Sequence, residues 1–131
     1  MFVRISLITL ALWPMAAPAQ DVDCANTETQ VEMTYCAEQD WKAADADLND
    51  AYKVAMKAMK DVDSNLDAAD QGAVENLRDA QRAWITFRDA ACAAEGYSMH
   101  GGSAEPMAIY SCRARLTEER TTDLGYLTEE N

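Results

Sequence analysis

An arginine on the apolar face of a helix constrains a small chain more than any of its leucines does. Residues 77–92 read LRDAQRAWITFRDAAC. Stepped at about 100° per residue, Leu77, Ala80, Trp84 and Ala91 fall in one apolar stripe, the pattern of a helix that faces a core. Gln81 and Arg88 lie in or beside that stripe, and Cys92 sits at its edge. Burying a charge is costly unless an opposite charge meets it. The stretch therefore predicts a carboxylate on another apolar face and a cysteine that ties down the helix end.

The carboxylate is found upstream. Thr29-Gln30-Val31-Glu32 fits a capping box, and a helical pattern without Gly or Pro then runs to Met59 or Lys60. Trp41, Asp45, Leu48, Tyr52, Ala55 and Met59 share one face of it, with Asn49 on the flank. Asp45 is thus the expected partner of Arg88 in a structural ion pair. A helix of this length spans roughly 45 Å unless it breaks near Cys36. Asp61 to Asn65 reads as a connection, with Ser64, Asn65, Asp67 or Asp70 available to cap a second helix. That helix runs to about Glu95, its start blurred by Gly72. Gly96 to Ser103, GYSMHGGS, holds three of the five glycines and is expected to be a loop. A third helix starts near Glu105 and Pro106 and continues to about Leu124, with a frayed acidic end after Gly125. Ile109, Cys112, Leu116 and Arg120 share its apolar face, so Arg120 points inward as a competitor for Asp45. With no strand alternation, the expected fold is all-α: an elongated antiparallel bundle of three main helices with two disulfides.

The first 19 residues stand apart. They carry one charge at Arg4, an apolar run from Ile5 to Trp13 and then Ala17-Pro18-Ala19, the layout of a signal peptide cut between Ala19 and Gln20. The apolar run is too short to span a bilayer, and no later stretch is long enough. Residues 20–131 are expected to form a single exported helical domain, periplasmic or secreted. Without Arg4 the 11 basic residues fall by one against 23 acidic ones, and the net charge moves from −12 to −13. Such a chain repels nucleic acid and anionic lipid heads and attracts basic partners. All four cysteines lie after the leader, which suits a disulfide framework. With no CxxC pair and one histidine, His100, no metal or cofactor site is expected. A hairpin centred near Gly102 sets Cys92 opposite Cys112, leaving Cys24 for Cys36 by elimination; a Cys36–Cys92 bond would overturn that assignment.

Two places carry candidate chemistry. Asp45 with Arg88 and Arg120 is the most specific polar constellation, read as a buried pair that fixes helix register rather than as a catalytic site. Trp41, Tyr52 and Trp84 are expected core aromatics, and Asn49 and Gln81 core-edge amides. The loop offers Tyr97, Ser98, Met99, His100, Gly101, Gly102 and Ser103 in a segment clamped by the 92–112 disulfide. Rigid presentation of polar side chains lowers the ordering cost of association. The plainer alternative is a helix connection whose glycines only make the turn. A lone histidine without a neighbouring nucleophile makes a poor enzyme site, so no catalytic residues are expected.

Together, the Cys24 and Cys36 spacing, Asp45-Ala46-Asp47-Leu48-Asn49 with Tyr52, and Gln81-Arg82-Ala83-Trp84 with Arg88 and Cys92 form a signature. Gly101-Gly102-Ser103, Cys112 and Thr117-Glu118-Glu119-Arg120-Thr121 complete it. It resembles the exported proteins with a lysozyme-inhibitor LprI-type N-terminal domain, long catalogued as a domain of unknown function. The resemblance implies an all-α disulfide-bonded domain outside the cytoplasm that inhibits lysozyme. A basic lysozyme is a fitting partner for this charge, and His100 and Ser103 are suited to enter a cleft lined by two carboxylates. The alternative is an envelope interaction or adaptor module with another partner.

Overall fold

The computed structural model describes residues 22–129, so the leader and its cleavage site lie outside the described residues. Three helices follow one another: α1 (Gln30–Ser64), α2 (Ala73–Gly96) and α3 (Glu105–Tyr126). A short 3₁₀ turn, Tyr97–Met99, extends α2. The chain is all-α with two disulfides, Cys24–Cys36 and Cys92–Cys112.

The capping box forms at the start of α1. Glu32 N–H donates to Thr29 Oγ1 at 3.2 Å, while Glu32 Oε2 accepts from the backbone N–H of Thr29 at 2.9 Å. Backbone donors from Glu28 and Thr29 hold the Glu32 carboxyl below its usual range. The helix then runs unbroken past Cys36 for 35 residues, about 52 Å at 1.5 Å per residue.

Its end corrects the expectation of a connection from Asp61. No Gly or Pro interrupts Asp61–Ser64, and the helix continues to Ser64. Asp63 then reaches across to the next helix. Its Oδ1 accepts from the N–H groups of Gly72 and Ala73, both at 2.9 Å, and Oδ2 from Val74 at 3.1 Å. None of the expected caps (Ser64, Asn65, Asp67, Asp70) serves α2: Gly72 occupies the cap position without a side chain, and Asp63 supplies the carboxylate from the preceding helix.

The helices run up, down and up, so α1 and α3 point the same way. Gln30 Nε2 meets Met107 Sδ at one end, Trp41 stacks on Tyr110 further along, and Ala55 shares a cluster with Leu124 near the other end. α3 packs chiefly along α1, where buried Ala37, Ala44 and Ala55 permit close approach, and to a lesser extent on α2. The hydrophobic core is displaced toward the α1–α2 connection: Leu48, Ala55, Leu77 and Leu124, with Tyr52, Met56, Met59 and Trp84 partly buried around them. Toward the opposite end the packing is replaced by the fully buried Cys92–Cys112 bridge and by Cys24–Cys36, which folds the arm before Thr29 back onto α1.

The buried face of α2 is rotated from the expected stripe. Leu77, Gln81, Arg88, Cys92 and Gly96 are buried, Trp84 is only half-buried, and Ala80 is exposed. Gly96 is not in a loop. It closes α2 so tightly against α3 that an added Cβ would sit 2.5 Å from Ile109 Cγ1.

Candidate functional site

Arg88 sits in the middle of the bundle with its side chain 7% exposed. Its Nε donates to Asp89 Oδ1 at 3.0 Å, and one terminal nitrogen donates to Asp45 Oδ1 and Thr117 Oγ1, each at 3.4 Å. The guanidinium carbon lies 5.6 Å from the Trp41 ring centre and 5.2 Å from that of Trp84. Arg113 lies over Trp41 at 4.9 Å, and its Nε is 3.3 Å from Asp89 Oδ1, close enough to pair electrostatically without hydrogen-bond alignment. Trp41 in turn stacks on Tyr110 at 5.7 Å. The layer is therefore two arginines, two tryptophans and a tyrosine, neutralised by Asp89 and Asp45.

Asp45 pairs with Arg88 as expected, but it is not buried. It is 43% exposed and meets Arg88 only at long range, while Asn49 donates to its other oxygen. Asp89 contacts both arginines and is the nearer partner. Face-matching discards it because adjacent helix residues point about 100° apart; the long arginine stem folds back to reach it. Arg113 was also missed, although it lies seven residues before Arg120 on the same face. Arg120 does not compete for Asp45: its Nε donates to Oε1 of buried Gln81 at 3.1 Å.

The second place is the turn after α2. Tyr97 is 66% exposed and stacks on the His100 ring at 4.4 Å, with planes 13° apart. Glu105, at the start of α3, clamps the turn: His100 Nδ1 lies 3.1 Å from its Oε1, and the Gly101 N–H donates to Oε2 at 2.9 Å. The His100 hydrogen bond and then that of Gly101 hold the Glu105 carboxyl below its usual range. Gly101 takes φ +77°, a conformation that side-chain-bearing residues rarely adopt. Gly102 donates back to the Met99 carbonyl at 2.9 Å, so the segment is a tight knob rather than an open loop. Ser103 takes no part in the Tyr97–His100 stack and lines a shallow apolar recess with Gln30, Val31, Thr34 and Pro106. Val31 is 79% exposed at the same end, and Tyr35 and Met99 are also exposed. A separate groove between α1 and α3 is lined by Asp40, Asp47 and Glu118, with Arg115 among them.

Glu105 engages Nδ1 of His100, and Tyr97 stacks on the same ring as an exposed aromatic face. Among the described residues no three His, Cys, Asp or Glu side chains converge as a metal site would require. No described helix is long and apolar enough to cross a membrane.

The chain is 42% identical over 128 residues to an uncharacterised protein of Rhizobium meliloti (strain 1021), covering 95% of this chain and 92% of that protein. Its fold is similar to the crystal structure of a DUF1311 family protein from Pseudomonas putida KT2440, with a TM-score of 0.68 and 28% identity. That likeness covers 81% of this chain and all of the other. The profile of the family described as lysozyme inhibitor LprI matches residues 23–124, nearly the whole described chain, and the protein belongs to that family.

Proposed function

We propose that this protein is an exported inhibitor of lysozyme, that it is not an enzyme, and that it docks through the turn at the disulfide-bonded end. Family membership supports the partner class. The observation that carries the docking site is the Tyr97–His100 stack, exposed yet fixed by Glu105 and by the Cys92–Cys112 bridge beneath it. A surface already ordered before binding loses less freedom on association. Exposed Val31, Tyr35 and Met99 supply apolar area at the same end of the bundle. The net charge of −12 steers a basic lysozyme toward the molecule, and the two disulfides suit the oxidising compartment that a leader over residues 1–19 would deliver it to.

The test is clearing of a cell-wall suspension by lysozyme in the presence of the purified protein. Inhibition is expected at micromolar protein and should weaken as salt is raised. The paired change His100→Ala with Tyr97→Ala should abolish it without altering the circular dichroism spectrum. Ser103→Ala alone should reduce it less, since Ser103 takes no part in the stack. Full inhibition by the double variant would sink the turn as the docking site, and no inhibition by the unaltered protein would sink the lysozyme reading itself, leaving an interaction module for another partner.

A further inference from the structure

Arg120 is anomalous in a different way from Arg88. It is half-buried on the inner side of α3, yet among the described residues no carboxylate lies within ion-pairing distance; its Nε is held by Gln81. Fixing Nε orients the guanidinium, and its two terminal nitrogens have no protein partner among the described residues. Arg120 is among the residues lining a groove of about 430 Å³ at the end of the bundle where α1 and α3 finish and α2 begins. Its walls are Met59, Ala73, Leu77, Ala80 and Leu127, and its other polar lining residue is Asn76. Leu77 and Met59 belong to the hydrophobic cluster, so the groove opens onto the core itself. Exposed Val62, Leu66 and Tyr126 stand at the same end.

We propose that this groove binds a free fatty acid or a closely similar single-chain carboxylate, with the carboxylate on Arg120 and the hydrocarbon over Met59, Leu77, Ala80 and Leu127. Three considerations select that chemistry. In a chain of net charge −12, an inward arginine without a counter-ion is a local positive site that complements an anion. Its walls belong mostly to helices, whose backbone groups are already paired, so a peptide, with polar groups at every residue, would find only Asn76 and Arg120 to satisfy it; a hydrocarbon chain asks for nothing more. The volume lies toward the small end of ligand pockets, about 300–1,000 Å³, which suits one acyl chain rather than two. This site is at the opposite end of the bundle from the turn that docks the proposed lysozyme partner, and it does not depend on that reading.

The experiment is calorimetric titration of the disulfide-bonded protein with dodecanoate below its micelle concentration. Single-site binding is expected, accompanied by a rise in melting temperature, and dodecylammonium should not bind. Arg120→Gln should weaken dodecanoate roughly tenfold or more, the range for a lost charged hydrogen bond. Ala80→Phe, at an exposed position, should fill the groove and block binding while leaving Arg120 in place, and it carries the test if Arg120→Gln unfolds the protein. Both variants should inhibit lysozyme as the parent does if the parent inhibits it. The proposal is overturned by no binding to the parent protein, by equal binding of dodecylammonium, or by unchanged binding in Ala80→Phe. It is overturned equally by tighter binding of a peptide ending in leucine, or of vesicles containing an anionic phospholipid, than of dodecanoate.

Discussion

Arg88 is held by several modest contacts, and they can be removed one at a time. Arg88→Ala takes away two ring stackings, the Thr117 bond and the neutralisation of Asp89, and should cost about 3 kcal/mol in urea denaturation, the low end for breaking a buried pair. Asp45→Ala should cost less than about 1 kcal/mol, because the carboxylate is partly exposed and its single contact with Arg88 is long. Asp89→Ala should cost more than Asp45→Ala, since it leaves two arginines without the carboxylate oxygen they share. The reverse order would show that Asp45 is the principal counter-charge after all. That the Leu77–Cys92 helix would bury a charge was legible from its periodicity. Of the two carboxylates that answer it, Asp45 was legible and Asp89 was not: helical wheels rank side chains by direction from the axis, and an arginine is long enough to ignore that direction.

At the scale of elements, the α1–α2 junction hangs on Asp63. Three backbone donors hold its carboxyl below the ordinary aspartate range. Because the folded value is depressed, the stabilisation it brings is complete well above the unfolded value of about 3.9 and is lost as pH falls through the folded value. The melting temperature of the parent should therefore drop on acidification below about pH 4, and Asp63→Ala should lower it at neutral pH while flattening that part of the acid decline. An unchanged melting temperature at pH 7 would mean that the start of α2 needs no cap. The junction between α2 and α3 depends instead on a missing side chain. Gly96→Ala should destabilise by about 1–3 kcal/mol through its clash with Ile109, and Ile109→Ala in the same chain should recover part of the loss. Both junctions were misread from sequence for one reason. Glycine and aspartate count as loop formers in local terms, but here each is used by a neighbouring helix, and a neighbour's position is not a local property.

The whole molecule is stabilised in two different ways along its length. Leu48, Ala55, Leu77 and Leu124 hold one end, while the other relies on Cys92–Cys112 and Cys24–Cys36. Replacing Cys92 and Cys112 by alanine should cost about 3 kcal/mol, and hydrogen exchange should rise first around Tyr97–Glu105, with Leu77 remaining protected. Uniform loss of protection would show that the two ends unfold as one. This division was partly legible: the spacing of the cysteines about a glycine-rich hairpin predicts the pairing that is found, and the three-helix order follows from apolar periodicity and punctuation. The parallel alignment of α1 and α3 carries a consequence of its own. The helix that completes the packing of α1 is the last to be made, and contacts such as Gln30 with Met107 join residues 77 apart in sequence. A nascent chain lacking α3 can cover α1 only in part, through α2, so the packing of α1 is completed only after synthesis has passed Tyr126. Until that last helix has joined, both cysteines of the 92–112 pair also lack their final setting, since Cys112 lies within α3.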